Sequence, residues 1–155
     1  MQKIMFVCTG NICRSAMAER LLKKKLKEKD LEKEFYVCSS GISAYPNDVS
    51  TYEAAYVMQN EYGIDIKDHR ATNIKASKIK EMDLILAMTE SHKDMLIMMF
   101  PELKEKIYTI KEYVGLQGDV LDPYGGTIEI YSNCAKELNE YIDMLLKKEA
   151  GKWLQ

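Results

Sequence analysis

The hydrophobic positions of the chain follow two patterns that alternate along its length. Short, mostly apolar runs of strand length occupy residues 3–8, 35–39, 83–88 and 106–110. Apolar residues with helical spacing predict helices over residues 14–28, 52–62, 90–99 and 127–148. Because strands alternate with helices and no linker or repeat divides the chain, we expect a single α/β domain over residues 1–155. The expected architecture is a four-stranded parallel sheet flanked by helices on both faces, with right-handed crossovers.

In such a sheet, ligands bind at the carboxyl ends of the strands, beside a switch in strand order. Cys8 ends the first predicted strand, and a loop rich in Gly, Asp and Pro spans residues 115–126. Ser50 or Thr51 is expected to cap the second helix, which should end at Gly63. The functional site is therefore expected next to Cys8.

Composition and charge narrow the possible functions. The net charge is −2 and the pI is near 5.8, so neither nucleic acid nor an anionic membrane is an expected partner. No apolar stretch approaches the roughly 20 residues needed to span a bilayer, and the first residues do not resemble a signal peptide. Four irregularly spaced cysteines and two histidines favour free thiols in a cytoplasmic protein over a disulfide framework or a zinc site. We expect no metal and no cofactor.

The most reactive arrangement in the sequence joins the first strand to the first helix. Cys8 lies at the strand end, Gly10 permits a tight turn, and Arg14 opens the helix. The helix N-terminus and Arg14 favour the thiolate of Cys8, and the amide groups of residues 9–14 can converge on a tetrahedral oxyanion. Arg14 offers a planar fork for two phosphate oxygens, and Ser15 can donate a hydrogen bond to the thiolate. The loop predicts a nucleophile that attacks a phosphate ester and forms a phosphocysteine intermediate.

A second candidate, Asp122, lies in the loop before the last helix. Pro123 restrains the backbone beside it, and Gly125 and Gly126 permit close approach or movement. The leaving group of a phosphate ester needs a proton, which a carboxyl group can supply and later recover from the attacking water. We therefore expect Asp122 to be the general acid of the first step and the general base of the second.

These motifs carry a family resemblance that extends along the whole chain. CTGNICRS at residues 8–15 and DPYGG at residues 122–126 resemble the low-molecular-weight protein tyrosine phosphatases. SSGI, DHRAT and LILAMTESH, at residues 39–42, 68–72 and 84–92, are similar to the same family. The resemblance implies a doubly wound, flavodoxin-like fold and a cysteine-dependent phosphatase that uses no metal. It also implies that Cys8 is the nucleophile, that Arg14 binds the phosphate, and that Asp122 is the general acid.

The resemblance implies supporting roles for the rest of the loop. Phosphate-binding positions are expected at Thr9, Gly10, Asn11, Ile12, Cys13 and Ser15. His69 resembles a histidine that, in relatives, supports the loop together with Asn11 and a serine such as Ser40. Cys13 directly precedes Arg14, and the resemblance implies a reversible disulfide with Cys8 that protects the oxidised nucleophile.

Substrate choice depends on the walls of the site. Tyr45 and Tyr124 are expected to flank the entrance, as the ring of phosphotyrosine requires. Many relatives place a second aromatic residue after the position of Tyr124, where this chain has Gly125. That departure resembles a bacterial branch in which some members hydrolyse phosphoarginine on proteins and the position of Ile12 typically carries threonine. Because an apolar Ile12 suits an aromatic ring better, we favour phosphotyrosine, with a protein arginine phosphatase as the alternative.

A different reaction, thiol-dependent arsenate reduction, is a remote alternative on a similar loop and fold. Those reductases need two further cysteines a few residues apart after the third strand, and residues 82–100 contain none. We expect a monomer that acts on a phosphorylated protein or peptide and is inhibited by phosphate-like oxyanions. For Trp153, near the end of the chain, the sequence does not decide between a docking contact and disorder.

Overall fold

A four-stranded parallel sheet organises the computed structural model, which describes residues 1–152. The strands are β1 (Gln2–Cys8), β2 (Phe35–Gly41), β3 (Leu84–Ala87) and β4 (Ile107–Thr109), in the order β2-β1-β3-β4. This arrangement confirms the predicted sheet. β1 pairs with β2 along one edge and with β3 along the other. The chain therefore changes its direction of progress across the sheet at β1, and Cys8 lies at the carboxyl end of that strand. Trp153 lies outside the described residues.

Helices pack against the sheet, and most begin and end where the sequence predicts. They are α1 (Arg14–Glu28), α2 (Tyr52–Tyr62), α3 (Glu90–Met99), the short α4 (Ile110–Tyr113) and α5 (Ile128–Ala150). Three 3₁₀ helices span Ile74–Ala76, Ile79–Glu81 and Pro101–Lys106. Of the two candidate caps of α2, Thr51 is the residue whose side chain accepts the Ala54 amide, and Gly63 ends the helix at φ 66°. Within residues 1–152, no helix is long and apolar enough to cross a membrane.

The side chains of the strands alternate between two apolar clusters, one on each face of the sheet. Ile4, Phe6 and Cys8 of β1 belong to the cluster that also contains the buried side chains of α1, α2 and α5. Met5 and Val7 belong to the cluster on the opposite face, which contains Leu96 of α3. Successive residues of a strand therefore place their side chains on opposite faces of the sheet.

Candidate active site

The loop between β1 and α1 holds the Cys8 thiol within a buried chain of hydrogen bonds. Cys8 Sγ lies 2.9 Å from Ser15 Oγ. The side-chain amide of Asn11 donates to Ser15 Oγ at 2.8 Å and to Ser39 Oγ at 2.9 Å. Asn11 is fully buried and adopts a left-handed backbone conformation with φ 56°, which asparagine tolerates better than most residues. The loop is thus tied by Asn11 both to the start of α1 and to the end of β2.

The expected contact of Ser40 with this network is wrong, because Ser39 makes it instead. Ser39 lies on the same face of β2 as Phe35 and Val37, which pack towards α1. Its hydroxyl accepts a hydrogen bond from the Asn11 side-chain amide and donates one to Glu19 Oε1 at 2.5 Å. Ser40 points to the opposite face, where its hydroxyl contacts Met5 Sδ at 3.2 Å. The alternation of side chains along a strand explains why adjacent serines have separate environments.

Residues outside the loop fix its shape from the other side. His69 Nε2 lies 2.7 Å from the main-chain oxygen of Asn11, so the predicted pairing of these residues is present. The Thr72 amide donates to Asn11 Oδ1 at 2.9 Å. A Cβ on Gly41 would lie 2.5 Å from the main-chain oxygen of Thr9 and 2.9 Å from the Asn11 nitrogen. Only glycine allows the end of β2 to approach the loop this closely.

Hydrogen-bond donors of the loop and Arg14 are available to an anion. In the described part of the chain, the amide groups of residues 9–12 donate to no protein acceptor. The Arg14 side chain is only 4% exposed, and its Nη1 donates to the Val120 carbonyl at 2.9 Å. Its Nε is buried and has no partner among residues 1–152. A buried guanidinium that is anchored at one nitrogen and unpaired at another is suited to hold an oxyanion.

Asp122 lies beside Arg14 but remains open to solvent. Its Oδ2 is 3.6 Å from Arg14 Nη2, and its side chain is 53% exposed. Its Oδ1 accepts the Tyr124 amide at 3.1 Å and lies 4.0 Å from Cys13 Sγ. Burial, followed by the nearby Cys8, raises the pKa of the Cys13 thiol to about 12, so Cys13 stays protonated at neutral pH.

A cavity of about 320 Å³ opens above the Cys8 thiol. The residues that line it come from the loop and from two flanking segments: Cys8, Thr9, Gly10, Ile12, Cys13, Arg14, Ser43, Tyr45, Asp48, Asp122 and Tyr124. Tyr45 and Tyr124 are 76% and 65% exposed and stand at its entrance, as the sequence predicts. Asp48 and Ser43 also line it, although no sequence motif indicated them. Within residues 1–152, no group of three His, Cys, Asp or Glu side chains is placed to hold a metal ion.

His92 is a further contact of the loop that the sequence motifs did not assign to the site. It lies in the first turn of α3, is 7% exposed, and places Nε2 at 2.8 Å from Thr9 Oγ1. Its Nδ1 is buried without a partner in the described structure. Burial and the Arg14 guanidinium lower the pKa of His92 to about 4, so the ring is neutral near pH 7. The signal available in the sequence was a histidine three residues after Thr89, which follows the third strand.

Comparisons with known proteins agree with this site. The family model described as low molecular weight phosphotyrosine protein phosphatase matches residues 3–153. A protein-arginine-phosphatase of Geobacillus stearothermophilus is 42% identical over 94% of this chain and 95% of its own length. The low molecular weight protein-tyrosine-phosphatase PtpB of Staphylococcus aureus is 34% identical over 94% and 95% of the two chains.

Solved structures of low molecular weight protein tyrosine phosphatases have the same fold as this chain. The crystal structure of a low molecular weight protein tyrosine phosphatase from T. tengcongensis superposes with a TM-score of 0.91. It is 45% identical in sequence, and the match covers 96% of this chain and 99% of the other. With this match along the sequence and the fold, the chain belongs to the low molecular weight protein tyrosine phosphatase family of cysteine-dependent protein phosphatases.

Proposed function

We propose that this phosphatase hydrolyses phosphotyrosine in proteins through a covalent intermediate on Cys8. The observation that carries the proposal is the position of the Cys8 thiol, 2.9 Å from Ser15 Oγ, on the same cavity as the buried Arg14 side chain. The amide groups of residues 9–12, in the loop that follows Cys8, donate to no acceptor within residues 1–152, so the loop suits a tetrahedral dianion next to a sulfur nucleophile.

In the first step, the Cys8 thiolate attacks phosphorus, the new P–S bond forms, and the P–O bond to the tyrosine oxygen breaks. Arg14 and the amide groups of residues 9–12 hold the three equatorial oxygens, where charge accumulates in the transition state. Asp122 donates its proton to the leaving phenolate, which its solvent-open position at the entrance allows. Ser15 Oγ, 2.9 Å from Cys8 Sγ, donates a hydrogen bond to the thiolate.

In the second step, water attacks the phosphocysteine from the side that the phenol has left. Asp122, now a carboxylate, accepts the proton of that water, while the P–S bond breaks and Cys8 is restored as a thiolate. Inorganic phosphate leaves the cavity. The same carboxyl group thus acts as the acid of one step and the base of the next.

The cavity walls support phosphotyrosine as the substrate. Ile12 is an apolar, half-buried side chain on the cavity surface, and its carbonyl accepts the Thr51 amide at 3.0 Å, which fixes the backbone there. Tyr45 and Tyr124 add aromatic surface at the entrance. An aromatic ring packs favourably against such groups, whereas a guanidinium loses hydration there without a polar partner on Ile12.

A protein arginine phosphatase is the second candidate, and one specific feature favours it. The carboxyl groups of Asp48 and Asp122 both line the cavity and can accept N–H groups of a phosphorylated guanidinium. The 42% identical relative from Geobacillus stearothermophilus is named for that activity.

The two candidates are separated by kcat/KM for peptides that differ only in phosphotyrosine or phosphoarginine. We expect the wild type to prefer phosphotyrosine, and Ile12→Thr to shift the ratio towards phosphoarginine. Ile130→Thr makes the same chemical change at a residue outside the cavity lining and should leave the ratio unchanged. A wild-type preference for phosphoarginine would overturn the phosphotyrosine assignment while leaving the cysteine mechanism intact.

We also propose that the protein acts as a cytoplasmic monomer and is inhibited by phosphate-like oxyanions. Four free cysteines, among them the buried Cys8, support a reducing compartment. The unpaired donors around Cys8 support competitive inhibition by phosphate or vanadate. Sedimentation of the purified chain tests the monomer, and a dimer at assay concentrations would refute it.

A further inference from the structure

The two segments that flank the cavity have an unusual charge pattern. Residues 42–66 and 114–135, which we call the acidic face, contain seven Asp or Glu residues and no Lys, Arg or His. All 22 Lys and Arg residues lie elsewhere, although the chain as a whole has nearly as many basic as acidic residues. Arg14, which lines the cavity, is itself buried.

The two segments contact each other, and the first of them also contacts the loop after β1. The Thr51 amide bonds to the carbonyl of Ile12, and Ser132 Oγ donates to Glu61 Oε1 at 2.6 Å, so α2 and α5 are joined.

Helix stability does not account for this pattern. Acidic residues in the first turns of α2 and α5, Glu53 and Glu129, do complement the helix dipoles. The last turn of α2 contains Glu61 and no basic residue of its own, and Lys24 of α1 supplies the positive charge at that end by donating a hydrogen bond to the Tyr62 carbonyl. Helix dipoles thus account for Glu53 and Glu129 but not for the other acidic residues of the face or for its lack of Lys and Arg.

Several carboxylates of this face are free to meet a partner. Asp48, Glu53 and Glu129 form no ion pair within residues 1–152. Exposed aromatic rings lie among them, since Tyr52 is 73% exposed and Tyr45 and Tyr124 also stand at the entrance. Such rings attract cations over their faces, and Arg more often than Lys.

We propose that the acidic face binds the segment of the substrate protein around the phosphorylated residue and selects segments rich in Arg and Lys. This inference rests on the proposed function, because the phosphate must sit on Cys8 and Arg14 for the flanking residues to cross the face. Arg14 lines the cavity and its buried Nε has no partner among residues 1–152, so the side chain suits an anionic anchor for the substrate. The phosphate thus meets the buried positive charge, and the basic flanks meet the exposed negative charges.

The test compares two phosphotyrosine peptides, one with Arg and Lys on both sides of the phosphotyrosine and one with Asp and Glu. Each exposed ion pair changes affinity by about two- to fivefold, so we expect kcat/KM to favour the basic peptide by roughly tenfold at low salt. The preference should shrink near 1 M salt, where the Debye length is about 3 Å.

A double charge reversal identifies the surface. Glu53→Lys with Glu129→Lys should abolish or invert the ratio between the two peptides. Glu102→Lys with Glu105→Lys changes the net charge equally on an exposed 3₁₀ helix that precedes β4, at the opposite end of the sheet, and should leave the ratio unchanged. Both peptides carry the same phosphate dianion, so a general effect of protein charge on phosphate binding cancels in the ratio of their kcat/KM values.

Equal kcat/KM for the two peptides, or the same ratio in both double variants, would refute the inference alone. Failure to hydrolyse either peptide while a phosphoarginine peptide is turned over would refute the proposed phosphotyrosine function and this inference with it. The two failures are therefore distinguishable.

Discussion

Replacing His92 by glutamine should change how stability depends on pH. The His92 ring is almost fully buried, its Nε2 contacts Thr9 Oγ1, and its Nδ1 has no partner among the described residues. Protonation would place a charged, unpaired N–H group inside the protein, next to the Arg14 guanidinium. Burial and that charge lower the pKa of His92 from 6.5 to about 4.

The sign of the effect follows from these two pKa values. In the unfolded chain the imidazole binds a proton near pH 6.5, whereas in the folded protein it does so only near pH 4. The stability due to the neutral ring is therefore complete above pH 6.5 and is lost as the pH falls towards 4. A pKa difference of this size corresponds to about 3 kcal/mol of unfolding free energy.

Urea unfolding of wild type and His92→Gln, measured between neutral pH and about pH 4, tests this value. Glutamine can keep a hydrogen bond to Thr9 but does not titrate, so the difference between the two proteins removes the contribution of the carboxylates. We expect the stability of the wild type, relative to the variant, to decrease by about 3 kcal/mol across the range. Parallel pH profiles would refute the reasoning, since they would mean that His92 titrates alike in the folded and unfolded states.

Three other substitutions test the site. Asp122→Asn should slow the first chemical step by about 10²–10⁴-fold for phosphotyrosine but little for aryl phosphates with good leaving groups, which need no proton. Stopped-flow kinetics measures this step, and equal losses for both substrates would mean that another residue is the general acid. Ser39→Ala removes a hydrogen bond to Asn11 and should lower kcat/KM by roughly tenfold. Ser40→Ala, on the opposite face of β2, is the matched control, and equal effects of the two changes would contradict the role of Ser39 in supporting the loop. After mild peroxide, a thiol reductant should restore the wild type but not Cys13→Ala, and equal recovery would exclude protection by Cys13.

The sequence predicts the parts of the site that lie close together in the chain. Cys8, Arg14 and Ser15 belong to one strand–loop–helix unit, and the structure places all three together as the motif indicates. The bounds of α1, α2 and α3 agree with the prediction because each has a clear apolar face or a clear start and stop. The short α4 was not predicted, since four residues are too few to show helical spacing.

The parts that sequence reasoning missed depend on register and on distant contacts. Choosing Ser39 over Ser40 requires knowing which face of β2 packs against α1. His92 reaches Thr9 across 83 positions, which only the pairing of β1 with β3 brings about. The need for glycine at position 41 arises from the close approach of β2 to the loop. Each of these contacts joins residues that are far apart in the sequence, so the neighbouring residues do not reveal the partner.

The most direct test of the central claim is to trap the phosphoenzyme. Asp122→Asn also slows attack of water on the intermediate, so acid quenching during turnover of an activated aryl phosphate should capture it. Peptide mapping by mass spectrometry should then find one phosphoryl group on Cys8, and Cys8→Ala should show neither the modification nor turnover. Phosphate on another residue, or full activity in Cys8→Ala, would contradict the cysteine mechanism.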